Sequence, residues 1–283
     1  MTYTIIYRPN IKYCNYKCEY CPFSKYKLEK LSIEKDEKML KKFIDFIKKS
    51  KYNFKIFIAP KGEILGFDYY KSGITNLSHL KNVNEIVVQT NLSGDLKWID
   101  NVNKEKLKLW TTYHPSEIKV DKFFDNVSEL NKKDIVFTVG SVGIKENLEK
   151  IKNLKLLIEN IKNNKPYMWI NAYKDVKNYY SEDDIKIIKE IDPYFEINIT
   201  NYKSKGLECK TGESVFWVEG NGIIHRCYKD NVILGNIYKD NFEDINKSSC
   251  CKNRMCTCFI GYINIRELKL ENIYKKSLIG RVI

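Results

Sequence analysis

The sequence predicts an α/β protein, a partial (βα)6 barrel followed by a small, cysteine-rich extension that contains a β-hairpin. Three observations predict this fold. Short β-branched or aromatic runs alternate with longer helical runs up to about residue 200, a hairpin pattern replaces them beyond that point, and cysteines crowd the end of the chain. Strands separated by helices of this length indicate repeated βαβ units and therefore a parallel sheet.

Six strands are predicted in chain order, each followed by a helical run. The strand sequences are YTIIYR, FKIFIAP, EIVVQT, KLKLWTTY, IVFTVGSV and YMWINAY. The helical sequences are SIEKDEKMLKKFIDFIKK, DYYKSGITNLSHLK, a short piece at GDLKWIDN, DKFFDNVSELNK, ENLEKIKNLKLLIENIK and SEDDIKIIKEID. In parallel α/β folds the loops at the carboxyl ends of the strands carry the chemistry, so the residues just past each strand are the candidates for a site.

The last part of the chain has a different pattern. ESVFWVEGNGIIHRC is typical of two short strands around a glycine-containing turn, and CCKNRMCTC follows it. We therefore expect two domains, a barrel over residues 1–203 and an extension over residues 204–283, joined near YKSKG.

The composition is that of a globular protein, with 43% hydrophobic and 30% charged residues and only 13 Gly and 6 Pro in 283 residues. Lys and Arg exceed Asp and Glu by 49 to 36, a net charge of +13, which favours acidic partners. The lysines lie along the helical runs, however, where a solvated outer face explains them more simply.

The cysteines bear on the compartment and on the chemistry. We see no secretion signal and no apolar run approaching ~18 residues, so a cytoplasmic protein with no membrane segment is expected. Nine cysteines in a reducing compartment indicate metal ligation or catalysis rather than disulfides.

The first three cysteines, Cys14, Cys18 and Cys21, stand in CNYKCEYC directly after the first predicted strand. Three thiolates on one loop can hold three irons of a four-iron cluster and leave the fourth iron open to a small molecule. The alternatives are a zinc knuckle that lacks one ligand, or incidental thiols. No histidine or fourth cysteine stands nearby to close a zinc site.

This spacing, with the aromatic Tyr20 before the last cysteine, resembles the signature of the radical S-adenosylmethionine (radical SAM) superfamily. The resemblance implies a [4Fe-4S] cluster whose open iron binds S-adenosyl-L-methionine, and an external one-electron reductant of the flavodoxin or ferredoxin type. It also implies a 5'-deoxyadenosyl radical that abstracts hydrogen from a substrate. Motifs along nearly the whole chain are similar to a compact bacterial subgroup with a twitch-like tail.

The resemblance also implies roles for residues at the strand ends. APKGE resembles the segment that receives the methionyl amino group, with Gly62 for close backbone approach and Glu63 as the acceptor. Lys61 replaces the usual first glycine, so the match is partial and a surface turn is the alternative.

Further candidates follow from the same resemblance. Tyr20 is expected near the adenine, and Thr112 in TTYHP near the ribose. Asn91 in QTNLS is expected at the same carboxyl end of the predicted barrel. His114 is close enough to meet the substrate and is the candidate catalytic residue, although a turn or capping role stays open.

The second group of cysteines flanks and follows the predicted hairpin. A hairpin that brings two cysteines together near a later cysteine cluster can enclose a metal. This arrangement resembles the opening half of a SPASM or twitch extension, which implies one auxiliary [4Fe-4S] cluster. We expect Cys209 and Cys227 as ligands and the others among Cys251, Cys256 and Cys258, with Cys250 as the spare. A structural zinc held by four of these thiols is the alternative.

The expected function is a radical enzyme that modifies a peptide, as in natural-product maturation, or a small metabolite. A separate substrate-recognition protein is a possible partner, because we see no leader-binding winged helix. Radical modification of RNA is a second hypothesis from the charge and the 20 tyrosines, but no RNA-binding module is legible. A non-catalytic iron-sulfur or zinc scaffold is the third, and the three-cysteine opening together with Glu63 argues against it.

Overall fold

A computed structural model describes residues 1–23, 26–240, 242, 245 and 250–283. The strands in this part of the chain are β1 Thr2–Arg8, β2 Asn53–Ile58, β3 Val83–Thr90, β4 Leu107–Tyr113, β5 Val136–Val142, β6 Met168–Asn171, β7 Tyr202–Lys203, β8 Val215–Glu219, β9 Ile223–Cys227, β10 Asp230–Asn236 and β11 Met255–Cys256. The α-helices are α1 Lys30–Lys49, α2 Asp68–His79, α3 Val120–Lys132, α4 Leu148–Glu159, α5 Glu182–Ile191, α6 Phe195–Ile199 and α7 Phe259–Tyr262. Short 3-10 helices cover Lys97–Asn101, Lys145–Asn147, Arg266–Leu268 and Leu270–Asn272.

A nine-stranded sheet in the order β10-β9-β8-β1-β2-β3-β4-β5-β6 forms the framework. Strands β1 to β6 lie side by side in chain order and run parallel. The six predicted strands and the α/β class are therefore confirmed. The sheet is open between β6 and β10 among the described residues, and its curvature into a partial barrel stays a prediction.

The predicted hairpin is formed by β8 and β9, which pair antiparallel. Strand β8 also runs parallel to β1, with Ile6 opposite Trp217 and Arg8 opposite Glu219. The hairpin therefore continues the main sheet, a pairing that the sequence does not predict. The expected joint at YKSKG contains β7, which pairs with β11, and the domain boundary at residue 203 stays a prediction.

The two faces of the sheet pack against different parts of the chain. Because successive strand residues point to opposite faces, each strand contributes to two cores. The outer core joins the strands to the helices, for example Tyr7 and Ile56 to Phe43. The inner core joins strand residues to the segment after β11; its aromatic members include Phe57, Trp110, Trp169, Trp217, Phe259, Tyr262 and Tyr274.

Arg281 lies fully buried in the inner core. Its guanidinium carbon lies 3.5 Å from the ring centroid of Phe259, 4.0 Å from that of Trp169 and 4.7 Å from that of Trp110. Its Nη2 donates to Asn171 Oδ1 at 3.0 Å. Stacking of a cation on aromatic faces is favourable, so these contacts hold the end of the described chain against the inner-core face of the sheet.

The buried carboxylate of Asp36 on α1 holds the chain just after β1. It accepts the backbone N–H groups of Asn10 and Ile11 at 2.7 and 2.9 Å. It also accepts the hydroxyls of Tyr69 and Tyr70 on α2 at 2.9 and 2.7 Å. Two helices and the start of the first cysteine loop therefore meet at one side chain.

We expect Asp36→Ala to lower the free energy of unfolding by about 2 kcal/mol, because the buried Ile11 N–H and the part-buried Asn10 N–H lose their acceptor. Urea denaturation followed by circular dichroism measures the change. Asp45→Ala is the matched control, since Asp45 is exposed on the same helix. Equal stability of the two variants would contradict this role of Asp36.

Candidate functional site

The first cysteine loop lies at the carboxyl end of β1. Cys18 is buried, whereas Cys14 and Cys21 are partly exposed. The Cys21 N–H donates to the Cys18 carbonyl at 3.1 Å, which closes a turn between these two cysteines. The Lys17 N–H donates to Glu117 Oε2 at 3.0 Å and fixes the middle of the loop to the segment after β4.

The segment after β2 packs directly on this loop. The Glu63 N–H donates to the Tyr13 carbonyl at 2.9 Å. A Cβ atom added at Gly62 would lie 1.9 Å from the same carbonyl oxygen. Only glycine allows this approach, so Gly62 and Glu63 are brought together with the cysteine loop, while the predicted approach of Gly62 to the cofactor stays a prediction.

Glu63 is buried, and its carboxylate has partners within the protein. Its Oε1 accepts the Leu65 N–H at 2.8 Å, and its Oε2 accepts the Thr90 hydroxyl at 2.9 Å and the Asn91 N–H at 2.6 Å. Burial raises the pKa of Glu63, and these hydrogen bonds oppose the rise. The side chain ties the end of β2 to the end of β3, and its predicted contact with the methionyl amino group stays a prediction.

His114 packs against the cysteine loop from the end of β4. Its Nδ1 lies 2.8 Å from Tyr20 Oη and 3.4 Å from Cys18 Sγ. The rings of His114 and Tyr20 are nearly parallel, with an interplanar angle of 12°. Burial lowers the pKa of His114 to about 4, so the imidazole is neutral at physiological pH. The structure thus brings together three sequence-predicted residues, while their roles toward substrate and adenine stay predictions.

Two other candidates face the same region. Asn91 Nδ2 donates to Asn15 Oδ1 at 3.0 Å, which places Asn91 on the cysteine loop. The Thr112 hydroxyl is buried and has no hydrogen-bond partner in the described part of the chain. Since a buried hydroxyl without a partner is costly, the site fits a bound group that offers a polar atom there.

The C-terminal cysteines line one cavity. Its cysteines are Cys209, Cys227, Cys251, Cys256 and Cys258. Burial and the neighbouring thiols raise the pKa of Cys227 to about 11 and that of Cys256 to about 12. Thiols so close together without bound metal disfavour ionisation, and soft thiolate donors suit an iron-sulfur cluster or zinc.

Cys250 lies apart from this cavity. It is exposed and does not line the cavity. Its neighbour Cys251 is buried and donates its backbone N–H to the Leu207 carbonyl at 2.9 Å. The two adjacent cysteines therefore have different environments.

Over residues 1–23, 26–240, 242, 245 and 250–283, no three His, Cys, Asp or Glu side chains form a site for a single metal ion.

Two lysines fix the turn between Cys256 and Cys258. Lys174, after β6, donates to the Thr257 carbonyl at 3.2 Å and to the Thr200 carbonyl at 3.0 Å. Lys229, in the β9–β10 turn, donates to the Thr257 hydroxyl. Burial lowers the pKa of Lys174 to about 8. The end of β6 and the hairpin thereby hold the cysteine turn from two sides.

Sequence reasoning missed the residues that support the loops, namely Asp36, Glu117 and Lys174. It also missed Arg8, which ends β1 and has its guanidinium over the rings of Phe23 and Trp217. A charged residue at the end of an apolar strand was the available signal for Arg8.

None of the helices in the described residues combines the length and the apolar character that a membrane span requires.

Solved structures resemble this chain over nearly its whole length. Native anSMEcpe with bound AdoMet aligns with a TM-score of 0.58 at 15% identity, over 98% of this chain and 88% of that one. Native anSMEcpe with bound AdoMet and Cp18Cys peptide aligns with a TM-score of 0.56 at 15% identity, over 100% and 88%. Streptococcus suis SuiB bound to S-adenosylmethionine gives 0.54 at 15%, over 85% of this chain and 64% of SuiB.

No protein-family model and no curated protein matches the sequence. At such identities the structural likeness shows the fold, which is an α/β fold shared with proteins that bind AdoMet. The resemblance stated from the cysteine spacing agrees with this likeness of fold.

Proposed function

We propose that this chain is a radical SAM enzyme. The observation that carries the proposal is the packing of the Gly62–Glu63 segment on a three-cysteine loop at the carboxyl end of a parallel sheet. This packing occurs in a fold shared with AdoMet-bound proteins. The sequential order of β1 to β6 and the separate inner core support a partial (βα)6 barrel.

In this proposal Cys14, Cys18 and Cys21 hold a [4Fe-4S] cluster with one open iron. A cluster bound there would supply one electron for the cleavage of S-adenosyl-L-methionine to methionine and a 5'-deoxyadenosyl radical. Glu63 orders the loop that faces the methionyl group, and the Thr112 hydroxyl offers a polar contact to the ribose. His114 holds Tyr20 and Cys18 in place, and any direct contact of its own with the substrate is part of the proposal.

The substrate is proposed to be a peptide or a small metabolite. One solved structure with this fold contains a bound peptide beside AdoMet, which supports the peptide alternative. The electron would come from a flavodoxin- or ferredoxin-type reductant, and a separate protein could supply substrate recognition. A cytoplasmic location also stays a prediction.

Anaerobic reconstitution with iron and sulfide tests the proposal. We expect about eight irons per chain if two four-iron clusters form. We also expect an electron paramagnetic resonance spectrum that changes on addition of S-adenosyl-L-methionine, and release of 5'-deoxyadenosine under dithionite. Iron near zero with bound zinc, or a spectrum unaffected by S-adenosyl-L-methionine, would contradict it.

Four of the five cysteines that line the C-terminal cavity are proposed to hold one auxiliary [4Fe-4S] cluster. Replacing all five by alanine is expected to lower the iron content from about eight to about four per chain, since one of two clusters is lost. The change of the remaining signal on addition of S-adenosyl-L-methionine should persist. If the wild-type protein instead carries about one zinc that disappears in the variant, the site is a structural zinc.

A further inference from the structure

Arg8 lies between the two cysteine-lined sites. Its guanidinium carbon is 5.0 Å from the ring centroid of Phe23, which follows Cys21 by two residues. On the other side it is 5.3 Å from the ring of Trp217 and 6.0 Å from the ring of Tyr228, which follows Cys227. Cys258 also acts on Arg8 electrostatically. The guanidinium therefore lies against aromatic rings that neighbour a cysteine of each site.

The guanidinium uses one of its two edges within the protein. Nη1 donates to the Ala59 carbonyl at 2.6 Å and to the Pro60 carbonyl at 3.2 Å. Nε is buried and has no hydrogen-bond partner in the part of the chain that the structure describes. The two carbonyls hold Nη1, and the opposite Nε–Nη2 edge, in which Nε has no partner among the described residues, matches the two oxygens of a carboxylate.

Within the described part of the chain, the Arg8 side chain has no carboxylate within ion-pair distance. Arg8 is 7% exposed, and among the described residues it forms no ion pair. Glu219 acts on it only at longer range and is paired with His225 at 3.6 Å. Lys61 directly follows Pro60, whose carbonyl accepts from Arg8, and burial first, then the charges of Arg8 and Lys12, lower the pKa of Lys61. Burying a cation without a partner is costly, so the arrangement favours an anionic ligand.

We propose that Arg8, assisted by Lys61, binds a carboxylate of the substrate between the two cysteine-lined sites. The inference rests on the proposed function and narrows its substrate class to acidic peptides and small carboxylic acids. Tyr228 is 44% exposed, so its ring provides the side from which the carboxylate enters. The aromatic rings exclude water from the charged pair and thereby strengthen it.

Calorimetric titration of the reconstituted protein, saturated with S-adenosyl-L-methionine, tests the site. The probes are glutarate, a Glu-containing hexapeptide, the same peptide with Gln, and inorganic phosphate. We expect glutarate and the Glu peptide to bind, the Gln peptide to bind at least about tenfold more weakly, and Arg8→Gln to weaken glutarate binding at least about tenfold. Arg8→Lys should retain part of the affinity. Lys61→Gln, at a partly exposed position, gives a second variant if Arg8→Gln fails to fold.

Arg254→Gln is the matched control, because Arg254 is exposed and the change in net charge is the same. Three outcomes overturn the proposal: no glutarate binding to the wild-type protein, equal binding to Arg8→Gln, or phosphate binding tenfold tighter than glutarate. Weakened S-adenosyl-L-methionine binding in Arg8→Gln with intact glutarate binding would also overturn it, by assigning the guanidinium to the cofactor. Release of 5'-deoxyadenosine by the wild-type protein tests the proposed function separately. If the wild-type protein releases none, the proposed function fails, whatever the result for glutarate.

Discussion

Replacing Cys14, Cys18 and Cys21 together by alanine is expected to abolish release of 5'-deoxyadenosine and to remove about four irons per chain. These three are the cysteines of the first loop and the cluster ligands of the proposed function, so under that proposal no cluster with an open iron forms without them. Chromatography of the products under dithionite measures the first effect, and iron analysis after reconstitution measures the second.

Cys250→Ala is the control for this experiment. Cys250 is exposed and lies outside both cysteine-lined sites, so its loss should leave the iron content and the product release at wild-type values. Product release that survives in the triple variant would show that the open iron is held elsewhere. Loss of four irons from Cys250→Ala would show that its environment changes when a cluster binds.

Gly62→Ala is expected to lower the rate of S-adenosyl-L-methionine cleavage on the order of a hundredfold. The added methyl group would lie 1.9 Å from the Tyr13 carbonyl oxygen, so the cysteine loop must move away from the segment after β2. A displacement of about 1 Å at reacting groups costs roughly this factor. Single-turnover release of 5'-deoxyadenosine measures the effect.

The segment after β2, which contains Gly62, also provides a matched control. Gly66 has no atom within 4 Å of an added Cβ, so Gly66→Ala should behave as the wild-type protein does. Thermal unfolding of both variants separates a local shift of the loop from general destabilisation. Wild-type cleavage by Gly62→Ala would mean that the close approach to Tyr13 is not needed for the site.

Local sequence patterns predicted the strands, the long helices and the hairpin. The signals for these elements, side-chain periodicity and turn residues, extend over only about ten neighbouring positions. The parallel pairing of β8 with β1 was not predictable in this way. It joins Ile6 to Trp217, and neither strand carries a local signal for the other. The packing of Arg281 on Trp110 and Trp169 was missed for the same reason.

The candidate site divides along similar lines. Cys14, Cys18 and Cys21 come from a short motif whose spacing is itself the signal, and Gly62 and Glu63 come from the family resemblance of APKGE. Their supports are not motifs: Asp36 reaches Ile11 from a helix, and Glu117 reaches Lys17 from the loop after β4. Such contacts arise only when the parallel sheet places distant loops side by side, and the lone polar residue that makes them resembles any surface residue in the sequence.

The buried position of Arg281 has a consequence for synthesis on the ribosome. Trp169 and the strands before it are made first, but the residue that stacks on Trp169 follows 112 positions later, as 281 less 169. At roughly 5–20 residues per second this takes roughly 6–20 s. For that time the aromatic inner face lacks its final cover, and the nascent chain is most exposed to aggregation. Slower induction at lower temperature, with chaperones in excess, should therefore raise the yield of folded protein.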